Sequence, residues 1–184
     1  MSLQYSAALR TAQVAQLLGQ LNGASVAPWA ASTAYAVGAF VSANGNVYKA
    51  TVAGTSATTG SGPSGTGASI TDGTVTWAYQ APTLKVFSGA EPANVAASDP
   101  TGLLATITLP NPCLTTSAGS TNIAGSWSAA ASAAGTGASF RMYDGAGNPH
   151  IQGNTTTDLV LNNNNIALNQ TVTVTQFTVA AANQ

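Results

Sequence analysis

Residues 29–54 read WAASTAYAVGAFVSANGNVYKATVAG, and after a run of Gly, Ser and Thr, residues 71–79 read TDGTVTWAY. This stretch decides the fold. Trp29, Tyr35, Phe40, Tyr48, Trp77 and Tyr79 are concentrated in it, including two of the three tryptophans of the 184-residue chain. Val37–Ala43 and Asn46–Val52 alternate as strands around Asn44-Gly45, a pair suited to a type I′ turn, in which both central residues need positive φ. That turn sets the register, with Ala43 facing Asn46 and Val41 facing Tyr48. Ala39, Val41, Tyr48 and Ala50 then share one face, and Phe40, Ser42, Val47 and Lys49 the other. A third strand, Thr74–Tyr79, follows the turn signal Asp72-Gly73. The spacing therefore predicts a small three-stranded β module rich in aromatic side chains.

Between the second and third strands lies ATTGSGPSGTGAS, residues 57–69. Its low complexity predicts an exposed, flexible loop. GSGPSG at Gly60–Gly65 matches the glycine spacing of a dinucleotide site in form only. Such a site needs a strand before the glycines and a helix N-terminus after them, whereas Pro63 and further Gly, Ser and Thr follow here.

Working outward, residues 3–21 carry Val14, Leu17, Leu18 and Leu21 at helical spacing, with Ser2 as a candidate N-cap and Asn22-Gly23 as the stop. The stripe is narrow and has to dock, on the chain's own sheet in preference to a partner subunit. Residues 24–28 (ASVAP) form a linker, and residues 80–82 (QAP) close the module. From Thr83 onward, short alternating segments are separated by regular turn signals. The candidates are Leu84–Ser88, Leu103–Leu109, Ile123–Ser128, Ser139–Tyr143, His150–Gln152, Asp158–Leu161 and Gln170–Val179. About seven such strands form a β-sandwich or a barrel. In the last of them Val172 and Val174 are out of phase with Phe177 and Val179. Either a bulge near Thr175-Gln176 or burial on both faces reconciles them. The expected fold is mainly β: a helix and linker (1–27), an inserted aromatic module (28–82) and a main β-sandwich domain (83–184).

Composition bounds the function. Apolar residues make up 45% and charged residues only 5%, against a usual charged share of about 25%. Arg10, Lys49, Lys85 and Arg141 are scattered, so no basic patch for nucleic acid is expected. No run of apolar residues is long enough to span a membrane. The N-terminus lacks the pattern of a secretory leader, so synthesis in a cytoplasm is expected. Cys113 is the single cysteine and reads as a buried, incidental thiol.

A catalytic constellation is hard to assemble. His150 is the only histidine. A triad with Asp144 or Asp158 would rest on the abundance of serine alone. A carboxylate pair would have to come from Asp72, Glu91, Asp99, Asp144 and Asp158. Of these, Asp72 and Asp144 precede glycine in turns and Asp99 precedes Pro100. Asp144-Gly-x-Gly-Asn lacks the spacing and closing Glu of a calcium loop. The expectation is no enzymatic activity, no metal and no cofactor. What remains is aromatic. Trp29, Tyr35, Tyr48, Trp77 and Tyr79 are candidate carbohydrate-binding residues, because indole and phenol rings stack on sugar C–H faces. Against this, a module of about 50 residues needs aromatics for its own core, a reading favoured for Tyr48 and Trp77.

The spacing W-x5-Y-x2-G-x2-V-x3-G-x2-Y, carried by Trp29, Tyr35, Gly38, Val41, Gly45 and Tyr48, resembles the small chitin-binding-type modules of bacterial chitinases. AGTS at 53–56 and TDGTVTWAY at 71–79 resemble the version found in tailed-phage virion proteins. SLQYSAALRTAQVAQL, LKVFSGAEPANVAASDPTGLLATITLP and ASFRMYDGAGNPHIQG are similar to a family of small phage structural proteins, labelled variously as head or tail-fibre proteins. There the helix runs almost directly into the LKVFSG-like strand, so residues 28–82 would be an insertion. The resemblance implies a virion component without enzymatic activity, and the leading expectation is a capsid decoration protein on the virion surface. Its expected partners are the major capsid protein and copies of itself, as a homotrimer. A tail-fibre or baseplate component binding a host surface glycan is the alternative.

Overall fold

In a computed structural model, which describes residues 6–117, 120–177 and 179, the chain forms one helix followed by short antiparallel strands. It divides into two compact units. One comprises residues 1–18, 83–143 and 149–184, and the other residues 19–82 and 144–148.

Helix α1 spans Ala7–Leu21. The expected cap, Ser2, lies outside the described residues. The cap observed is Ser6, whose hydroxyl accepts the Leu9 amide at 3.2 Å. The stop is where the sequence places it. Gly23 adopts φ 91°, and the amides of Gly23 and Ala24 close back on the carbonyls of Gln20 and Gly19, a Schellman end. Val14 and Leu21 of the apolar stripe are buried. Among the described residues, no helix is long and apolar enough to cross a membrane.

In the module unit, β1 (Ala34–Tyr35), β2 (Phe40–Ala43), β3 (Asn46–Val52), β4 (Gly54–Thr55), β5 (Ile70–Asp72) and β6 (Val75–Gln80) follow in order. The main sheet runs β2-β3-β6-β5, with β1 paired to β4 beside it. The register is the expected one, Ala43 opposite Asn46 and Val41 opposite Tyr48. Asn44 and Gly45 have φ of 50° and 73°, as a type I′ turn requires. The sheet has four strands where the sequence led to an expectation of three. The second turn is centred on Gly73 and Thr74, because Asp72 pairs with Val75. Asp72 therefore ends a strand instead of occupying the turn, and its side chain points into the unit. Val41, Ala43, Tyr48, Ala50, Val75 and Trp77 form the core, with Trp29, Tyr35, Ala39, Ile70 and Tyr79 packed on it. In the same unit the Asp144 carboxylate closes the 144–148 turn, accepting the amides of Ala146 and Asn148 at 2.9 Å each.

In the main unit, β7 (Thr83–Phe87), β8 (Leu103–Thr108), β13 (Ser139–Tyr143) and β14 (Pro149–Asn154) form a sheet of order β14-β13-β7-β8. A second sheet is β11 (Ser128–Ala130), β17 (Thr171–Phe177) and β15 (Leu159–Leu161). Two hairpin-like pairs complete the unit: β9 (Leu114–Ser117) with β10 (Ser120–Ile123), and β12 (Gly135–Thr136) with β16 (Asn165–Ile166). Phe140 of the first sheet meets Phe177 of the second edge to face at 5.9 Å, and Trp127 lies 5.5 Å from Phe177. Side chains of two facing sheets thus build one core, the arrangement of a β-sandwich. The expected strand Ile123–Ser128 is instead the break between β10 and β11. In β17 the pairing skips Thr175, since Val160 faces Gln176 and Leu161 faces Val174. That bulge accounts for the phase change of Phe177.

The outer face of the four-stranded sheet is also covered. Arg141, Lys85 and Gln152 lie side by side on it, beneath the connection of residues 88–102. The Arg141 guanidinium is 1% exposed. It donates to the Ala97 carbonyl (2.8 Å), the Asn94 carbonyl (3.0 Å), Asp99 (3.1 Å) and the Gln152 side chain (3.0 Å). Gln152 in turn donates to the Pro92 carbonyl at 2.6 Å, and the Ser139 hydroxyl to the Gly89 carbonyl at 2.7 Å. An arginine that looks isolated in sequence is the clamp of a long connection.

Cys113 is buried, and its carbonyl accepts the Trp127 indole N–H at 3.2 Å. Burial pushes the thiol up to about 11, so little thiolate exists at neutral pH. A thiol reagent is expected to leave Cys113 unmodified in the native protein at pH 7 and to label it on unfolding in urea, read by intact mass. Rapid labelling of the native protein would contradict this burial.

Candidate functional site

The five sequence candidates come together in the module unit, but as a packed cluster. Tyr35 meets Trp77 edge to face, with centroids 4.9 Å apart at 70°, and Tyr48 meets Tyr79 at 6.2 Å and 64°. Tyr48 and Trp77 are fully buried. These two residues are therefore not part of an exposed platform. The unit is built mainly from Ala, Ser, Thr and Gly, and only its aromatics are large enough to fill its interior. Trp29, Tyr35 and Tyr79 remain, each half-buried on the same side of the sheet. The Tyr35 hydroxyl accepts the Ala30 amide at 2.9 Å. The β1–β4 pairing and the bond from the Gly38 amide to the Ala50 carbonyl place exposed Val37 and Val52 at the Tyr35 end of the module.

The residue that sequence reasoning missed is Asp72. It is 8% exposed. Its Oδ2 accepts the indole N–H of Trp29 at 2.7 Å and that of Trp77 at 3.1 Å, and its Oδ1 accepts the Ala57 amide at 3.0 Å. One carboxylate orients both tryptophans and anchors the start of the Gly/Ser loop. Read as a turn residue, Asp72 gave no hint of this. The signal available was its place one position before a glycine that could itself open the turn.

The loop of residues 57–69 is largely exposed, as expected, but it is tied down across the aromatic side of the sheet by its backbone carbonyls. Asn44 Nδ2 donates to the carbonyls of Ser61 (3.2 Å) and Pro63 (2.9 Å). The Tyr48 hydroxyl donates to the Gly65 carbonyl at 2.9 Å, and the Tyr79 amide to the Gly67 carbonyl at 2.9 Å. Pro63 is buried. Composition predicts flexibility because it counts side chains, whereas this loop is held by its carbonyls.

The remaining candidate chemistry is already committed. Asp99 accepts the Tyr143 hydroxyl and pairs with Arg141 and Lys85 at 3.1 and 3.4 Å. Partial burial pushes the Asp99 carboxyl up, but the hydrogen bonds from Tyr143 and Arg141 and the charge of Lys85 outweigh it and hold the group below the ordinary carboxylate range. Burial, followed by donation to Asp99, raises the Tyr143 phenol. Asp158 accepts the Asn154 amide and side chain at 2.9 Å each. Glu91 accepts Gln152 at 3.3 Å. Among the described residues, no group of three or more His, Cys, Asp or Glu is placed to hold a metal ion.

No curated protein and no solved structure matches the chain. Residues 28–66, the helix-proximal part of the module with its first hairpin and most of the folded loop, match carbohydrate-binding module family 5/12.

Proposed function

We propose that the chain is a non-enzymatic structural protein of a phage particle, displayed on the head, which carries a carbohydrate-binding-type module as an appendage. The observation that carries this reading is the chain's organisation. A compact unit with a binding-module sequence interrupts a β-sandwich unit between residues 18 and 83, while the flanking segments are those that resemble small phage structural proteins. All five acidic residues of the chain are engaged in structural hydrogen bonds, which favours a role without catalysis. The main unit and helix would anchor the protein to the major capsid protein, with copies of itself arranged as a trimer. A near-neutral surface with few charges suits such packing.

A second reading is favoured by the family match itself. In it the module binds a host glycan from a tail fibre or baseplate, through Trp29, Tyr35 and Tyr79. Copy number in purified particles, measured by quantitative mass spectrometry against the major capsid protein, separates the two. Decoration requires abundance on the scale of the capsid protein. A handful of copies would move the protein to the tail, and absence from the particles would overturn both. Combined Trp29→Ala and Tyr35→Ala substitution is expected to leave decoration of particles intact, because anchoring belongs to the other unit. Under the glycan reading the same variant loses retention on immobilised polysaccharide.

A further inference from the structure

The folded loop does more than stabilise the module. Gly62 adopts φ 85° and lies directly on the Trp29 indole. A Cβ added there would sit 2.7 Å from Cγ, 2.8 Å from Cδ2 and 3.1 Å from Cδ1 of that ring. Only a residue without a side chain fits. Its Cα–H group packs against the ring, the kind of contact by which a C–H group meets an aromatic face. The neighbouring residues fix it there. Asn44 holds the carbonyls on either side of Gly62, and Tyr48 holds the one at Gly65. Asn46 Nδ2 donates to the Tyr48 hydroxyl at 3.0 Å, orienting it for that bond. Trp29 is fixed at the indole N–H of that same ring by Asp72. An indole that could receive a sugar is thus held in place by one buried carboxylate and covered by the chain's own backbone.

We propose that residues 60–67 form an autoinhibitory flap that occupies the Trp29 face, and that a glycan stacks there only after the flap is displaced. This deepens the glycan reading of the module and rests on it. The flap competes as an intramolecular ligand, so apparent affinity scales with the fraction of molecules in which it is open. The clasp is the side-chain amide of Asn44, on a turn residue separate from both the flap and the indole. Opening can therefore be tested without touching the stacking surface.

Asn44→Gly is the informative variant. Glycine tolerates the positive φ of this position, so the turn survives while both clasp bonds are lost. Gly62→Ala is the second variant, and it wedges the flap off the ring. The flap is read by acrylamide quenching of tryptophan fluorescence. Trp77 and Trp127 are 0% and 1% exposed, so the quenchable signal belongs to Trp29, with Trp29→Phe as control. Binding is read by titration calorimetry with chitohexaose. Both variants are expected to raise quenching and to tighten binding by roughly tenfold, as opening a flap that is closed in about nine molecules of ten would do. Adding Trp29→Ala to Asn44→Gly should abolish the gain. Unchanged quenching in both variants overturns the proposal, because these contacts then do not hold the flap. Raised quenching with wild-type affinity overturns the inhibition and leaves the glycan reading standing. Raised quenching with no binding by any form overturns both.

Discussion

Asp72→Ala is expected to destabilise the module unit by about 3–5 kcal/mol, from the stranding of three donors at roughly 1–3 kcal/mol each when buried. Trp77 Nε1 contributes the most, because the ring is fully buried and has no route to water. Trp29 Nε1 and the Ala57 amide are half-buried and recover part of the loss through solvent. Asp72→Asn keeps one acceptor oxygen, which at the Oδ2 position still serves both indoles, but sets its amide NH2 against the Ala57 N–H, so an intermediate loss is expected. The check is urea denaturation followed by tryptophan fluorescence, together with amide exchange at Ala57, whose bond to Oδ1 disappears in the alanine variant. A loss below about 1 kcal/mol would mean that the indoles are oriented by packing alone. Loss of the carboxylate also releases Trp29, so the alanine variant should weaken glycan binding even where the flap is open.

Arg141→Ala is expected to cost the main unit about 2–4 kcal/mol, from the loss of several hydrogen bonds made by a buried cation at roughly 1.5–3 kcal/mol each, partly offset because Asn94 and Asp99 are exposed to water. The substitution leaves the carbonyls of Asn94 and Ala97 without their donor and removes a cation from Asp99. Arg141→Lys should not rescue it, because an ammonium cannot reproduce the planar fork that reaches four acceptors at once. The readout that separates a clamp from simple core loss is limited proteolysis. Cleavage within residues 88–102 should appear in the variant before global unfolding. The same clamp gives a pH dependence of known sign. The Asp99 carboxyl is held below its ordinary value in the folded state. Its contribution is therefore fully present above the ordinary carboxylate range and is lost as pH falls through the depressed folded value. Acid should loosen the connection first, and the Asp99→Asn variant should lose that acid sensitivity. Asp99 is substantially exposed, so the effect of pH is smaller than that of removing Arg141.

Both sites bear on how the chain is read. The β class, the helix stop at Gly23 and the type I′ hairpin with its register were determined by the local sequence, whereas the phase change in the last strand left a bulge and burial on both faces open until the pairing with β15 placed the bulge at Thr175. The first three depend on the φ preference of one or two residues or on the phase of alternating side chains, and both properties act over a few positions. The gathering of the aromatics into one module was legible for the same reason. Burial of Tyr48 and Trp77 was legible too, since so small a module needs them for its core; tertiary structure decided that Trp29, Tyr35 and Tyr79 are only half-buried beside them. It also decided that Asp72 serves two indoles, one of them forty-three residues away, and that Arg141 clamps a connection more than forty residues distant. The Gly/Ser loop is the clearest case. Its side chains carry almost no information, and its conformation is set by carbonyls meeting Asn44, Tyr48 and Tyr79. Backbone groups are the same at every position of every sequence, so their partners become known only when the chain has folded.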